Sequence, residues 1–252
     1  PYAWSLPQVS NISWKYPSCG NADDAAKSTE EYSGFGAFVD PQNELSSTTT
    51  GTSVPDYFKG SDGNIQELCY GRIRNINDFI KNIKECTLSE DNKNIMLGQA
   101  YFLRAWCYYN LVKWYGGVPL VTEPLDPVET SFTNRSSAEA SINFILEDLK
   151  QSAELLEAKT TNGGWDSDNW GRVTTGTALA LKGRVLLLWA SPLFNRDNDE
   201  SRWTNAYTEM KADLAKINAC GYGLYQTANN VNGSDFAAQF TQVGQNPEAV
   251  FV

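Results

Sequence analysis

Four groups of carboxylates stand close enough in this sequence to invite acid/base chemistry: Asp23 with Asp24, Glu30 with Glu31, Asp166 with Asp168, and Asp197 with Asp199. A glycosidase needs two carboxyl groups flanking the scissile bond, one of them kept protonated by its surroundings. Adjacent carboxylates in a loop or strand point apart, and no flanking sequence marks one of these as buried, so the pairs predict binding without turnover. His, the commonest general base and metal ligand, does not occur in the chain. The DNDES run at 197–201 imitates the alternating oxygen ligands of a calcium loop. It lacks the glycine at the sixth position, which is Arg202, and the glutamate at the twelfth, which is Thr208. A solvated loop or helix N-terminus fits better. No catalytic residue, metal or cofactor is expected.

Aromatic residues offer a different chemistry. Eight Trp, twelve Tyr and eleven Phe are a heavy load for a chain of which 20% is charged. Rings can pack a core, and they can also stack on the flat C–H faces of a sugar while Asn, Asp, Lys or Arg bind its hydroxyls. Rings in loops are the better candidates for the second role, because core packing does not account for them. Those are Trp14, Tyr16, Tyr32, Phe38, Tyr57, Trp165 and Trp170. Arg104 and Arg184, on otherwise apolar helix faces, are expected to be paired structural residues.

Charge excludes one class of partner. Lys and Arg number 20 against 30 Asp and Glu, a formal charge of -10, whereas a phosphate backbone is held by clustered cations. Nucleic acid is therefore not expected. The five Cys (Cys19, Cys69, Cys86, Cys107 and Cys220) form no CxxC pair, which gives no zinc or redox motif and leaves the disulfide state open. No run of about 18 apolar residues would span a membrane. At 252 residues a sizeable core is possible.

The elements that would carry these residues are helices. Residues 1–60 are rich in Ser, Thr, Asn and Gly, with little period, and read as long loops; 61–220 read as helix pairs. A helix over about 62–86 places Ile65, Leu68, Ile73, Ile76, Ile80 and Ile83 on one face. Thr87 with Glu90 has capping-box spacing and starts the next helix, whose face carries Met96, Ala100, Leu103, Cys107, Leu111 and Trp114. Gly116, Gly117 and Pro119 stop it sharply before a short apolar strand. Ser136 with Glu139 predicts a third helix, to about 158, with Ile142, Ile145, Leu146, Leu149, Ala153 and Leu156 inward. A helix over about 175–189, apolar nearly all round, should be buried and end at Ser191-Pro192. The last, over about 200–219, should bury Trp203, Tyr207, Met210, Leu214 and Ile217. Such pairs are what tetratricopeptide-type repeats use, because each pair needs a neighbour to cover its apolar surface.

One run is specific beyond its periodicity. GQAYFLRAWCYYNLVKWYGGVPLVTEP, at 98–124, resembles the signature of the SusD/RagB family, glycan-binding outer-membrane lipoproteins of Bacteroidetes-type bacteria. Four segments agree in order: SCGNADDA at 18–25, YGRIRNINDFIKNI at 70–83, NRSSAEASINFILEDLKQSAELL at 134–156 and GRVTTGTALALKGRVLLLWASPLFN at 171–195. The resemblance covers roughly 18–195, and NPEAVFV at 246–252 is similar to a segment that follows the family's third helix pair.

The resemblance implies one all-α SusD-like domain over 1–252, with tetratricopeptide-like helix pairs and long irregular loops. It implies a surface-exposed protein that captures oligosaccharide and delivers it to a SusC-like TonB-dependent outer-membrane transporter. The implied membrane attachment is a lipidated N-terminal cysteine, which would precede Pro1, since Cys19 lies too far in; the family's C-terminal half would follow this chain. Its ligand site draws on loops between the acidic pair and the helix near 62, which here carry Tyr32, Phe38, Asn43 and Tyr57, with Trp14 next. A helix-repeat scaffold for protein contacts, or capture of a non-glycan nutrient such as peptide, are the alternatives.

Overall fold

The computed structural model describes residues 68–124, 134–160, 164–166, 169, 171–226, 233–238 and 246–250. The chain divides into two units, Pro1–Ile73 and Arg74–Val252, and of the first the described part is 68–73. The described elements are helical: α1 Leu68–Ile83, α2 Glu90–Tyr115, α3 Ala138–Thr160, α4 Thr175–Ala190, α5 Glu200–Ala219 and a short α6, Ser234–Ala238. Among the described residues there is no strand. The fold is all-α. None of the described helices is long and apolar enough to cross a membrane.

Helices α2 to α5 pack in chain order, α2 on α3, α3 on α4 and α4 on α5. Helix α3 runs antiparallel to α2. Gly98 near the start of α2 lies against Leu155 and Leu156 near the end of α3, and Gly117 past the end of α2 lies against Ser136 and Ala138 at the start of α3. The same holds for α4 and α5, where Gly176 meets Cys220 and Gly183 meets Met210. Glycine lets the backbones close in: a Cβ on Gly98 would sit 2.7 Å from Leu156 Cγ.

The apolar stripes of three helices are buried as their spacing predicts. Ile73, Ile76, Ile80 and Ile83 of α1 are covered, as are Ile142, Ile145, Leu149, Ala153 and Leu156 of α3. In α2, Ala100, Leu103, Cys107 and Leu111 are joined by Phe102, Ala105, Tyr108 and Val112. So α2 is covered around more of its circumference than one stripe would require. Met96 is the exception, 41% exposed in the second turn. Helix α4 buries Ala178, Leu179, Leu181, Val185 and Leu186, and its glycines face α5.

Helix ends differ from the sequence reading by a residue or two. Helix α1 stops at Ile83 rather than near Cys86, and its expected start at 62 lies outside the described residues. The N-cap of α2 is Ser89, so Thr87 and Glu90 form no capping box. That of α3 is shifted from Ser136 to Ser137, whose Oγ accepts from the Ala140 amide at 3.0 Å. Ser136 instead donates its amide to Val118 O at 3.2 Å. A true capping box appears at Thr174 and Thr177, each hydroxyl accepting the other's amide.

The segment after the Gly-Gly stop, expected to be a short strand, forms none among the described residues. Val121 exchanges both backbone groups with side chains: its amide donates to the Tyr108 hydroxyl at 2.7 Å, and its carbonyl accepts from Asn77 Nδ2 at 2.9 Å. Gly116 takes φ 70°, ψ -128°, with its amide on Val112 O. A Cβ on Gly117 would collide with the Ser136 carbonyl. Arg135 then locks the turn by donating from Nε to Gly117 O at 2.6 Å. The Gly-Gly-Val-Pro spelling is thus a requirement of how α2 hands over to α3.

The predicted inward face of α5 is the largest departure. Trp203 is 43% exposed, Tyr207 65% and Leu214 54%, and Ala206 is the buried residue of this helix. Polar contacts tie the helix to α4, Lys182 Nζ donating to Glu209 Oε2 at 2.7 Å and to Asp213 Oδ2 at 2.9 Å. Trp203, Tyr207 and Leu214 of its apolar stripe face away, while Met210 lies against Gly183 of α4.

Candidate functional site

The loop residues proposed from sequence as ligand contacts, Trp14, Tyr32, Phe38, Asn43 and Tyr57, lie outside the described residues, as do Tyr16 and Trp170. Of the sequence-selected rings, Trp165 is the one whose surroundings are described.

Trp165 sits in the connection between α3 and α4. The loop is shaped by Gly164 and Gly171 at φ 75° and 87°, a conformation that L side chains rarely adopt. Between them Asp166 Oδ1 accepts from the amide and Nδ2 of Asn169, at 3.0 and 2.7 Å. The indole Nε1 donates to Val173 O at 2.8 Å, which fixes the ring against the start of α4. Lys159 Nζ lies 5.6 Å from its centroid and Arg172 Cζ 5.8 Å, within the range of cation–π attraction. The ring is half-buried and both cations are exposed.

Two of the acidic residues singled out for acid/base chemistry, Asp166 and Asp199, have structural work. Asp199 caps α5, its carboxylate accepting from the Ser201 amide at 2.9 Å, and hydrogen bonds from the Ser201 side chain and amide hold the carboxyl below its ordinary range. Asn195 ties the same loop by accepting the Asp199 amide at 2.8 Å. The DNDES run is a helix N-terminus. Asp166 braces the loop before α4 through Asn169 and Asp197 is exposed, while Asp23, Asp24, Glu30, Glu31 and Asp168 are outside the described residues. Among the described residues no group of three His, Cys, Asp or Glu is placed to hold a metal ion. Among the described residues Cys86, Cys107 and Cys220 form no disulfide with one another.

The strongest polar cluster was half legible in the sequence. Arg104 is paired as expected, with the buried Asp148 of α3: Nε to Oδ2 at 2.8 Å and Nη2 to Oδ1 at 2.7 Å. Its remaining Nη1 donates to Asn77 Oδ1 at 2.9 Å. The guanidinium also lies 5.3 and 5.1 Å from the ring centroids of Tyr101 and Phe144. Burial pushes the Asp148 carboxyl up from its ordinary range, and the Arg104 fork opposes it. Every polar arm of this cluster is used within the fold, so it is a structural clasp. Arg184 differs: it is exposed and has no ion pair among the described residues.

With this architecture in hand, the comparisons converge. A family model described as "Starch-binding associating with outer membrane", SusD-like, matches residues 21–187. A SusD-like protein from Bacteroides fragilis has 26% identity over 87% of this chain and 42% of its own, at a TM-score of 0.54. A laminarin-binding SusD-like protein gives 23% identity, 72% and 36% coverage and a TM-score of 0.52. A surface glycan-binding protein A from Bacteroides fluxus gives 23%, 73% and 34%, also at 0.52. No curated protein matches the chain. The chain spans less than half the length of these solved structures. The matched span contains the Arg104–Asp148 clasp, the Gly-Gly handover and the Trp165 loop, and it occupies well over half the sequence: this chain belongs to the SusD-like family.

Proposed function

We propose that this chain is part of a surface glycan-binding protein that captures oligosaccharide and passes it to a TonB-dependent outer-membrane transporter, breaking no bond. Family membership over 21–187 is the observation that carries the reading. The engagement of Asp148, Asp166 and Asp199 in structural hydrogen bonds supports binding over hydrolysis, since none of them is left poised as an acid or base. Contact to sugar is assigned to the loop rings Tyr32, Phe38 and Tyr57 with Asn43 and Trp14, and a lipid anchor at the outer-membrane surface completes the proposal.

A glycan array on purified protein, followed by titration of the hits, is the test. Saturable binding of an oligosaccharide without release of reducing ends is the expected result. Release of reducing sugar, abolished by changing one carboxylate, would overturn the binding-only reading.

A scaffold for protein contacts is the second reading, favoured by the exposed stripe Trp203, Tyr207, Met210 and Leu214 on α5. A protein that binds no glycan on the array, and whose self-association or partner binding is lost in Tyr207→Ser with Leu214→Ser, would favour it.

A further inference from the structure

We propose that Lys159 and Arg172, held against the Trp165 indole, form a contact for an acidic group on a bound saccharide, a uronate carboxylate or a sulfate ester. This deepens the glycan-binding reading and rests on it. Lys159 comes from the last turn of α3 and Arg172 from the far side of the loop, yet both cationic heads lie within 6 Å of one ring centroid. Their separation cannot exceed the sum of those two distances, a span that one anionic sugar residue and its neighbour can bridge.

Three features make the pair available. Among the described residues neither cation has a carboxylate within ion-pair distance, although the chain carries 30 acidic residues against 20 basic. Among the described residues, the acids nearest in sequence are engaged elsewhere: Glu157 with Lys216 Nζ at 2.9 Å, and Asp166 with Asn169. The indole is fixed by its bond to Val173 O, so cation–π attraction holds two otherwise flexible side chains near one ring. That lowers the ordering cost of binding. A guanidinium fork matches carboxylate and sulfate oxygens, and the ammonium adds a second charge-assisted bond. A neutral sugar draws on none of this.

The experiment is calorimetric titration of the full chain against polygalacturonate, the carboxylate-free sulfated galactan carrageenan and the neutral glucan laminarin. An acidic polymer is expected to bind despite the overall charge of -10, with affinity falling as salt is raised. The two acidic probes tell the carboxylate from the sulfate source. Arg172→Gln and Lys159→Gln should each weaken acidic-polymer binding by roughly tenfold, and together by more, with laminarin binding unaltered. Both positions are exposed, so thermal melts of the variants should match the parent. Unchanged affinity for the acidic polymer in the double variant overturns the proposal. Binding of laminarin alone also overturns it while leaving the glycan-capture reading standing, and failure of all three polymers together with an empty glycan array sinks both.

Discussion

Arg104 of α2 and Asp148 of α3 meet in a two-bonded fork at 2.7 and 2.8 Å, and Asn77 of α1 takes the third arm of the same guanidinium. One cation therefore ties three helices. Through Asn77 Nδ2 the clasp reaches Val121, whose amide rests on Tyr108. The segment beyond the Gly-Gly stop is thereby fixed to the helices it leaves.

Removing one half of that clasp should cost more than removing both. Asp148→Ala strands a buried guanidinium and is expected to lose about 3–5 kcal/mol. Arg104→Met combined with Asp148→Leu should lose much less, since apolar replacements of similar volume leave no orphaned charge. Urea melts of the variants check this, and a double variant as unstable as Asp148→Ala would show that the fork itself, and not its unpaired remnant, sets the cost.

Two leucines drawn from predicted stripes should behave oppositely. Leu103, 3% exposed in α2, is expected to cost about 2–5 kcal/mol on truncation to Ala. Leu214, 54% exposed on α5, should cost under about 0.5 kcal/mol. A large loss at Leu214 in the same melts would mean that its face is covered in solution.

Alkaline pH should weaken the fold through Tyr108. Burial pushes its hydroxyl up to about 12 from 10.0, against the pull of the Val121 bond and Arg104. The unfolded chain sheds this proton first. The stabilisation is therefore whole below pH 10.0 and drains away as pH climbs to about 12, by on the order of 2–3 kcal/mol in total. Tyr108→Phe has no such proton, so its melts should fall less steeply across that window. Parallel curves would refute the assignment.

Ligand contact is expected among Tyr32, Phe38 and Tyr57. Loss of a ring that serves as a hot spot costs about 2 kcal/mol, roughly thirtyfold in affinity, while a rim residue costs little. At least one of the three alanine variants should show that loss against the glycan an array identifies, with circular dichroism confirming the fold. If all three bind like the parent, the contact lies elsewhere, with Trp165 the next ring to change.

Local pattern alone determined which segments are helical, because period-3.6 apolar spacing and the glycine and proline stops act within a few residues of themselves. The stripes of α1, α2 and α3 and the handover at Gly116 and Gly117 could be read from that, and the ordered motifs pointed to the family. What covers each face was decided only by tertiary structure. The spacing of Trp203, Tyr207 and Leu214 is that of a buried stripe, yet α5 turns it outward and holds α4 through Lys182, Glu209 and Asp213. Periodicity shows that a face exists and says nothing of what lies opposite it. Asp148 as the partner of Arg104, and Lys159 with Arg172 on one indole, were likewise invisible, since each constellation joins residues far apart in the chain that only the fold brings together.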